Sequence, residues 1–574
     1  MEKGKTGYPS IDKPWLKYYS FESLNRELPK GSLYEYLWEC NKDRLDNYAI
    51  NYFGNKITYR KLFELIDEAA KAFIAIGVNE GEIVPVVTLS SVTSVVCFYA
   101  LNKIGAISDY INVLSEEKDY QGFFNEANAK VVVTLDLFAE KVINAAKKTG
   151  VDTVIIVGIN IGMPAFVNIG YKLKSKGKIP KIPDFDNLLT WETFINSGKK
   201  TAEINRSKNP NEMCFLAHTG GTTGESKAVM LNDKAMNTVA SQQYSIYCQC
   251  PEWSENSVFL QVMIPFVVYG ILTCTHLPLC MGWCLAIIPK FEGKDWKKYI
   301  SKYKFEHTIA VPAYVSCLLE DESLKKANMT HIKTISVGGD GITDSLENNM
   351  NQFLAEHGSG AELYKGYGMT EICAAGVICF PGCNRIGSVG IPLPLNNLMI
   401  YDNENNSELK YKEVGEVCIH APSRMAGYLN NEKATKELFK IHSDGSEWLH
   451  TGDLGYIDED GFLFLVGRMK RIILTTKDGI AYKVFPSVPE KILESHSAVI
   501  QNCIVGAKKG NDEVLRAYVV LSEDNLGNAE KIEEELRELC IEKLPTHERP
   551  TYYEFRDKLP LTAAGKVDYR ALEV

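Results

Sequence analysis

The sequence predicts an α/β protein. Its large N-terminal region holds several subdomains, two of them helix-covered, largely parallel sheets and one a small β-barrel, and a small α+β domain follows. Three observations predict this. Strand and helix patterns alternate as far as about Cys383. After Gly387 they give way to short strands separated by turn residues. From about Ile472 the chain turns to a compact mixture of strands and one amphipathic helix. At 574 residues it is too long for a single core.

Residues 58 to 76 carry Leu62, Leu65, Ile66, Ala69, Phe73 and Ile76 at helical spacing, with Thr58 as cap and Gly77 as stop. A strand (Ile83 to Leu89), a helix (Val92 to Asn102), a strand (Val131 to Leu135), a helix (Phe138 to Lys148) and a strand (Val154 to Val157) follow. A second such block runs from about Asn211 to about Cys383. The β-rich part offers Leu398 to Tyr401, Gly415 to His420 and a hairpin about Asp458-Glu459-Asp460-Gly461. The last region offers strands at Ala498 to Val505 and Arg516 to Leu521 and a helix from Ala529 to Leu544.

Near the start of the second block, HTGGTTGESKAVML (His218 to Leu231) concentrates Thr219, Gly220, Gly221, Thr222, Thr223 and Gly224 before Ser226 and Lys227. Glycines let backbone N–H groups approach an anion, threonine hydroxyls add donors, and lysine adds charge, so the run reads as a polyphosphate site. It is not a Walker A loop, which needs Gly-Lys-Ser/Thr opening a helix. Lys227 to Leu231 reads as a strand instead, and the next helix signal begins at Asn232.

A net charge of −10 argues against nucleic-acid binding through phosphate neutralisation. The N-terminal stretch MEKGKTGYPSIDKPW has no apolar signal-peptide core, and fifteen cysteines fit free thiols, so a cytoplasmic protein is expected. Cys248, Cys250, Cys274, Cys280 and Cys284 form one group and Cys373, Cys379 and Cys383 another, neither with paired metal-ligand spacing. Asn256 to Pro289 lacks Asp, Glu, Lys and Arg but is broken by Pro265, Gly270, Pro278 and Gly282, which reads as buried core. Residues 159 to 181 set an apolar half beside Lys172, Lys174, Lys176, Lys178 and Lys181. That composition is one of a solvated basic loop or of a weak peripheral membrane contact.

Further segments stand in order along the chain: Gly338-Gly339-Asp340, Gly366-Tyr367-Gly368-Met369-Thr370-Glu371, Gly415-Glu416, Gly427-Tyr428, His450-Thr451-Gly452-Asp453, Gly467-Arg468-Met469-Lys470 and Pro560 to Lys566. With the threonine-glycine run and KPWLKYY at Lys13 to Tyr19, the series resembles the adenylate-forming (AMP-binding) superfamily, most of all its acyl-CoA synthetases. The resemblance implies an N-terminal AMP-binding domain over 1–467 (blocks of about 1–205, 206–385 and 386–467), a hinge at 468–471 about Lys470 or Arg471, and a mobile lid over 472–574. It implies that a carboxylate attacks the α-phosphate of MgATP, releasing pyrophosphate, and that a thiol captures the acyl-adenylate.

Carried over residue by residue, Thr219, Thr222, Thr223 and Lys227 grip the distal phosphates, with Gly220, Gly221 and Gly224 in the same loop. Tyr367 stacks on adenine, flanked by Gly366 and Gly368; Gly338, Gly339 and Asp340 belong to the nucleotide site; Thr370 contacts phosphate. Glu371, with Thr223, holds Mg²⁺; Asp453 anchors the ribose; Arg468 lies close to the nucleotide. Lys566 bridges the attacking carboxylate and the α-phosphate, and with Thr370 and Glu371 makes up the catalytic set.

The chain departs from the family at Ser226 and Ala228, where Pro and Gly are usual, and at Pro265-Phe266-Val267-Val268, where a Pro-x-x-His element is common. It is also longer than usual between Arg468 and Pro486, with an extra turn at Lys477-Asp478-Gly479. The apolar acid pocket about Val268 and Tyr269 lacks the aspartate of amino-acid-activating relatives, so an uncharged acid, a medium- or long-chain fatty acid, is expected with coenzyme A as acceptor. Two alternatives stand beside it: an adenylating enzyme that loads a separate carrier protein, and a catalytically silent nucleotide-binding regulatory protein.

Overall fold

The computed structural model describes residues 6–175, 179–204, 209–219, 227–250, 254, 256–442, 445–477, 480–510, 512–560 and 567–573. The expected helix is Tyr59–Ala75; the Thr58 hydroxyl accepts the Lys61 N–H, and Gly77 ends it with φ +93°. The first sheet has eight strands in the order Gly427–Tyr428, Lys227–Asn232, Met213–Thr219, Ile107–Tyr110, Ile83–Val87, Val131–Leu135, Thr153–Val157 and Leu188–Thr190. The run from Met213–Thr219 to Leu188–Thr190 is parallel throughout. Its helices Val92–Lys103 and Ala139–Ala146 match the expected pattern, whereas the Ile107–Tyr110 strand and the helix Glu117–Glu126 had no clear signal.

The second sheet has nine strands, ordered Ile391–Pro392, Val377–Ile378, Leu363–Tyr367, Thr334–Val337, His307–Ala310, Val258–Gln261, Cys284–Ile287, Tyr48–Tyr52 and Asn55–Thr58. The two sheets exchange elements. The Met213–Asn232 hairpin, expected at the head of the second block, pairs through Phe215 with Ser108 of the first sheet. The Tyr48–Thr58 hairpin, early in the chain, completes the second sheet by pairing Ile50 with Leu285. Hydrophobic pattern sets which face of a strand is buried, but not which sheet the strand joins.

The stretch from Asn256 to Pro289 is core, as expected: a strand, a π-helix at Tyr269–His276, a short helix at Leu277–Cys280 and a strand. His276 at its centre is fully buried between the Tyr99 hydroxyl and the Asn237 side chain, and burial lowers its pKa to about 3. A third, antiparallel sheet contains Asn397–Asp402, Gly415–His420, Glu447–Ile457 and Leu463–Arg468. The C-terminal part follows with a hairpin (Ile473–Lys477 and Ile480–Val484), a three-stranded sheet and the helices Ser487–Glu494 and Ala529–Lys543. Among the described residues, every cysteine is a free thiol and no helix is long and apolar enough to cross a membrane.

Candidate active site

The phosphate-loop hairpin closes at Thr219 and Lys227, which pair across its mouth, the Thr219 hydroxyl donating to the Lys227 carbonyl at 3.3 Å. Gly220, Gly221, Thr222, Thr223, Gly224 and Ser226 lie outside the described residues. The Lys227 ammonium sits 4.8 Å above the Tyr428 ring, and the Tyr428 hydroxyl donates to Glu371 Oε1 at 2.6 Å. Tyr428 reaches this position because the Gly427–Tyr428 strand pairs with the hairpin at Val229 and Met230. Three sequence segments thus converge on one buried carboxylate. Gly427-Tyr428 was visible as a motif, but its role as the clamp on Glu371 had no local signal.

On the strand Met213–Thr219, His218 Nε2 donates to Asp109 Oδ1 at 2.8 Å, and Asp109 is completely buried. Burial opposes the charge on His218, but the Asp109 carboxylate outweighs it and raises the imidazole above its ordinary value of 6.5.

Tyr367 ends the Leu363–Tyr367 strand, and Thr370 and Glu371 lie in the 3₁₀ turn Thr370–Ile372 just beyond. Gly368 is required there: a Cβ would lie 1.9 Å from the Ala374 carbonyl oxygen. The Tyr367 hydroxyl donates to Asp453 Oδ2 at 2.6 Å, and Arg468 Nε lies 2.6 Å from Asp453 Oδ1. Asp453 and Arg468 are cross-strand partners, so this pair is fixed by register. Glu416 supports the strand carrying Asp453. It accepts from His450 Nδ1 at 2.7 Å and from the Gly452 N–H at 2.9 Å. Burial opposes its charge, yet those donors and Asn403 hold its carboxyl below the usual range. Glu416, Cys418 and His450 are also the group of described residues able to chelate a metal, and none belongs to the two cysteine groups noted in the sequence. Here Glu416 and His450 are spent on each other.

Gly338 and Gly339 follow the Thr334–Val337 strand, and a Cβ at Gly338 would lie 3.0 Å from the Tyr269 hydroxyl oxygen. Tyr269 therefore faces the Gly338 turn, its hydroxyl donating to the Ala310 carbonyl at 3.3 Å. Val268 is buried in the main core. Gly366 pairs with Ile378 inside the sheet, and Asp340 is exposed.

Lys470 and Arg471 form the 3₁₀ turn Met469–Arg471 between the third sheet and the C-terminal part. Lys470 is exposed, whereas Arg471 is held by Glu490 at 2.5 Å. The helix Ser487–Glu494 returns to the large region, where the Ser487 hydroxyl donates to the Val466 carbonyl. Burial, then Glu490 and Asp340, push the Glu494 carboxyl up to about 7. That carboxyl gave no signal in the sequence. Lys566 and the turn tip at Asp478 and Gly479 lie outside the described residues.

Known proteins share this architecture. A family model described as AMP-binding enzyme matches residues 37–429, and one described as AMP-binding enzyme C-terminal domain matches 489–566. The chain is similar to a long-chain-fatty-acid–CoA ligase of Bacillus subtilis (strain 168), with 29% identity over 98% of this chain and 97% of that protein. It is also similar to a probable 4-coumarate–CoA ligase 2 of Dictyostelium discoideum, with 28% identity over 88% of this chain and 87% of the other. Among solved structures, the ATP-bound RpMatB-BxBclM chimera B1 matches at TM-score 0.80 and 22% identity, covering 95% of this chain and 98% of its own. The anthranilate CoA ligase AuaEII with anthranoyl-AMP matches at 0.79 and 21%, covering 95% and 97%. Those structural likenesses establish the fold, and the matches over both regions establish the family: the chain belongs to the AMP-binding enzymes and carries the family's C-terminal domain.

Proposed function

We propose that this protein is an ATP-dependent acid–thiol ligase that activates an uncharged, medium- or long-chain fatty acid as its acyl-adenylate, releases pyrophosphate and transfers the acyl group to coenzyme A. The observation that carries the reading is a pair of buried carboxylates, one in the turn just beyond the Leu363–Tyr367 strand and one on the third sheet, each held by a phenol. Glu371 is clamped by Tyr428 beside Lys227, and Asp453 is clamped by Tyr367 and Arg468.

Each carboxylate is oriented by a phenol before any ligand arrives. Asp453, with Tyr367 on one oxygen and Arg468 on the other, is set to accept the ribose hydroxyls. Lys227 at the mouth of the phosphate loop supplies positive charge to the distal phosphates. Glu371 fits a hard cation: Tyr428 holds one oxygen and the carboxylate is acceptor-only when ionised. Mg²⁺ there, with Thr223, would neutralise phosphate charge. Lys566 brings a second cation when the C-terminal domain closes about Lys470 or Arg471, screening the carboxylate from the α-phosphate as they approach.

The acid preference is supported by the absence of Asp, Glu, Lys and Arg from Asn256 to Pro289 and by the neutral state of His276. Similarity to two CoA ligases over most of the chain supports coenzyme A as acceptor. The test is acid-dependent pyrophosphate exchange over acids of graded chain length and charge, followed by transfer assays offering coenzyme A and carrier protein separately. Exchange with fatty acids and transfer to coenzyme A is the expected result. Rapid exchange with an amino acid and none with fatty acids overturns the acid assignment; ATP binding without exchange on any acid overturns the enzymatic one.

A further inference from the structure

The helix Ala165–Ser175 carries its apolar side outward. Phe166 is 76% exposed, Ile169 62% and Leu173 72%, and no residue of the helix is buried. At ~100° per residue these three side chains fall within roughly 60° of arc, with Lys172 on one flank and Lys174 on the other. The inward face is mixed, with Val167, Asn168, Tyr171 and Ser175 half-buried. Asn168 Oδ1 accepts from Asn160 Nδ2 at 2.9 Å, Ser175 donates to the Tyr171 carbonyl at 2.8 Å, and Tyr171 packs on the main core. A surface helix ordinarily buries its apolar stripe, whereas this one leaves Phe166, Ile169 and Leu173 in solvent.

The preceding residues are fixed. Tyr52 donates to the Ile159 carbonyl at 2.7 Å and Asn55 to the Gly162 carbonyl at 2.9 Å, and Ile159, Ile161 and Met163 are absorbed into core packing. The apolar surface of this segment is therefore confined to the helix. Charge selects what covers it. From Ala165 to Pro183 the chain has five lysines and no carboxylate, on a protein of net charge −10. Lys172, Lys174 and Lys181 are exposed and have no ion-pair partner among the described residues. A two-fold contact with a second copy would set these lysines against each other, whereas an anionic bilayer satisfies both the charge and the stripe.

We propose that this helix docks flat on an anionic phospholipid surface, with Phe166, Ile169 and Leu173 in the acyl boundary and Lys172 and Lys174 reaching up to the phosphates. The segment that leads to the helix follows the C-terminal end of the Thr153–Val157 strand, and the phosphate-loop sequence follows the C-terminal end of Met213–Thr219 in the same parallel sheet. Those two strand ends lie on the same side of the sheet, four strands or about 19 Å apart.

The test is co-sedimentation of the full-length protein with vesicles of phosphatidylcholine alone and of phosphatidylcholine mixed with phosphatidylglycerol. Binding to the mixed vesicles only, weakening with salt, is expected. The combined Phe166→Ser, Ile169→Ser, Leu173→Ser variant is expected to lose more than about tenfold in partitioning. Lys172→Gln with Lys174→Gln is expected to lose on the order of tenfold. Because all five side chains are exposed, unchanged thermal midpoints verify folding in both variants. The proposal is overturned if the wild type ignores the mixed vesicles or if both variants bind like wild type. It also fails if the wild type self-associates through this face and the triple variant is monomeric.

Discussion

The Glu494→Gln substitution should make the folded protein lose less stability as pH rises. Glu494 lies on the helix Ser487–Glu494, and burial, then the carboxylates of Glu490 and Asp340, raise it from an ordinary 4.5 to about 7. At ~1.4 kcal/mol per pH unit that gap is worth about 3 kcal/mol, an upper bound because the side chain keeps some contact with water. The sign follows from the direction of the shift. A carboxyl raised on folding binds its proton more tightly in the folded protein. Its contribution is therefore complete below 4.5 and is lost as pH rises through about 7. Glu494→Gln removes the charge and keeps the shape, so chemical denaturation followed across this window should show a shallower loss of stability than wild type. Asp340→Asn should flatten it less, since Asp340 is the smallest of the named causes. Equal slopes in wild type and Glu494→Gln would refute the reasoning.

Lys566→Ala should slow adenylation by roughly 10² to 10³-fold, the usual cost of losing one preorganised charge-stabilising group, and near-wild-type pyrophosphate exchange in that variant would remove the assignment. Tyr428→Phe deletes the donor to Glu371 and should lower exchange about tenfold, with a thermal midpoint close to wild type; unchanged exchange would show that the clamp is dispensable. His218→Gln leaves the buried Asp109 carboxylate without its cation and should destabilise the fold by about 3 kcal/mol near pH 6. Because the His218 pKa is raised above 6.5, the pair's contribution is complete below that value and lost as pH rises through the raised one. The difference from wild type in urea unfolding should therefore shrink at alkaline pH.

Local chemistry made part of this molecule legible. Thr58 before an apolar stripe fixed the start of the helix Tyr59–Ala75, and Asn232 caps Asp233–Tyr247 by accepting the Ala235 N–H, at the position where a helix signal was read. The ordered motifs pointed to the family, and the structure brings Lys227, Tyr367, Glu371, Asp453 and Arg468 toward one junction of sheets. What stayed hidden is non-local. The Glu371–Tyr428 and Glu416–Gly452 bonds join residues far apart in sequence, and no spacing rule announces a phenol that will meet a carboxylate. The helix Glu117–Glu126 carries no plain local signature because its cap comes from Glu116 and Asp119, which read as ordinary surface charge. The segment 159 to 181 presents lysines and apolar residues without showing which apolar side chains its helix leaves exposed.

The exchange of hairpins between the two large sheets also governs the order in which the chain can fold. Ile50 waits for Leu285, Ser108 waits for Phe215, and the clamp on Glu371 waits for Tyr428. A ribosome-bound chain that stops near residue 205 has a five-stranded block whose Ile107–Tyr110 strand lacks its outer neighbour, and an orphan hairpin, so such a fragment exposes unpaired strand edges. Contacts of this span slow folding, because loop closure precedes the energy that rewards it. The nucleotide site is therefore among the last parts to assemble, and premature truncation products should enter aggregates or chaperones before they can bind ATP.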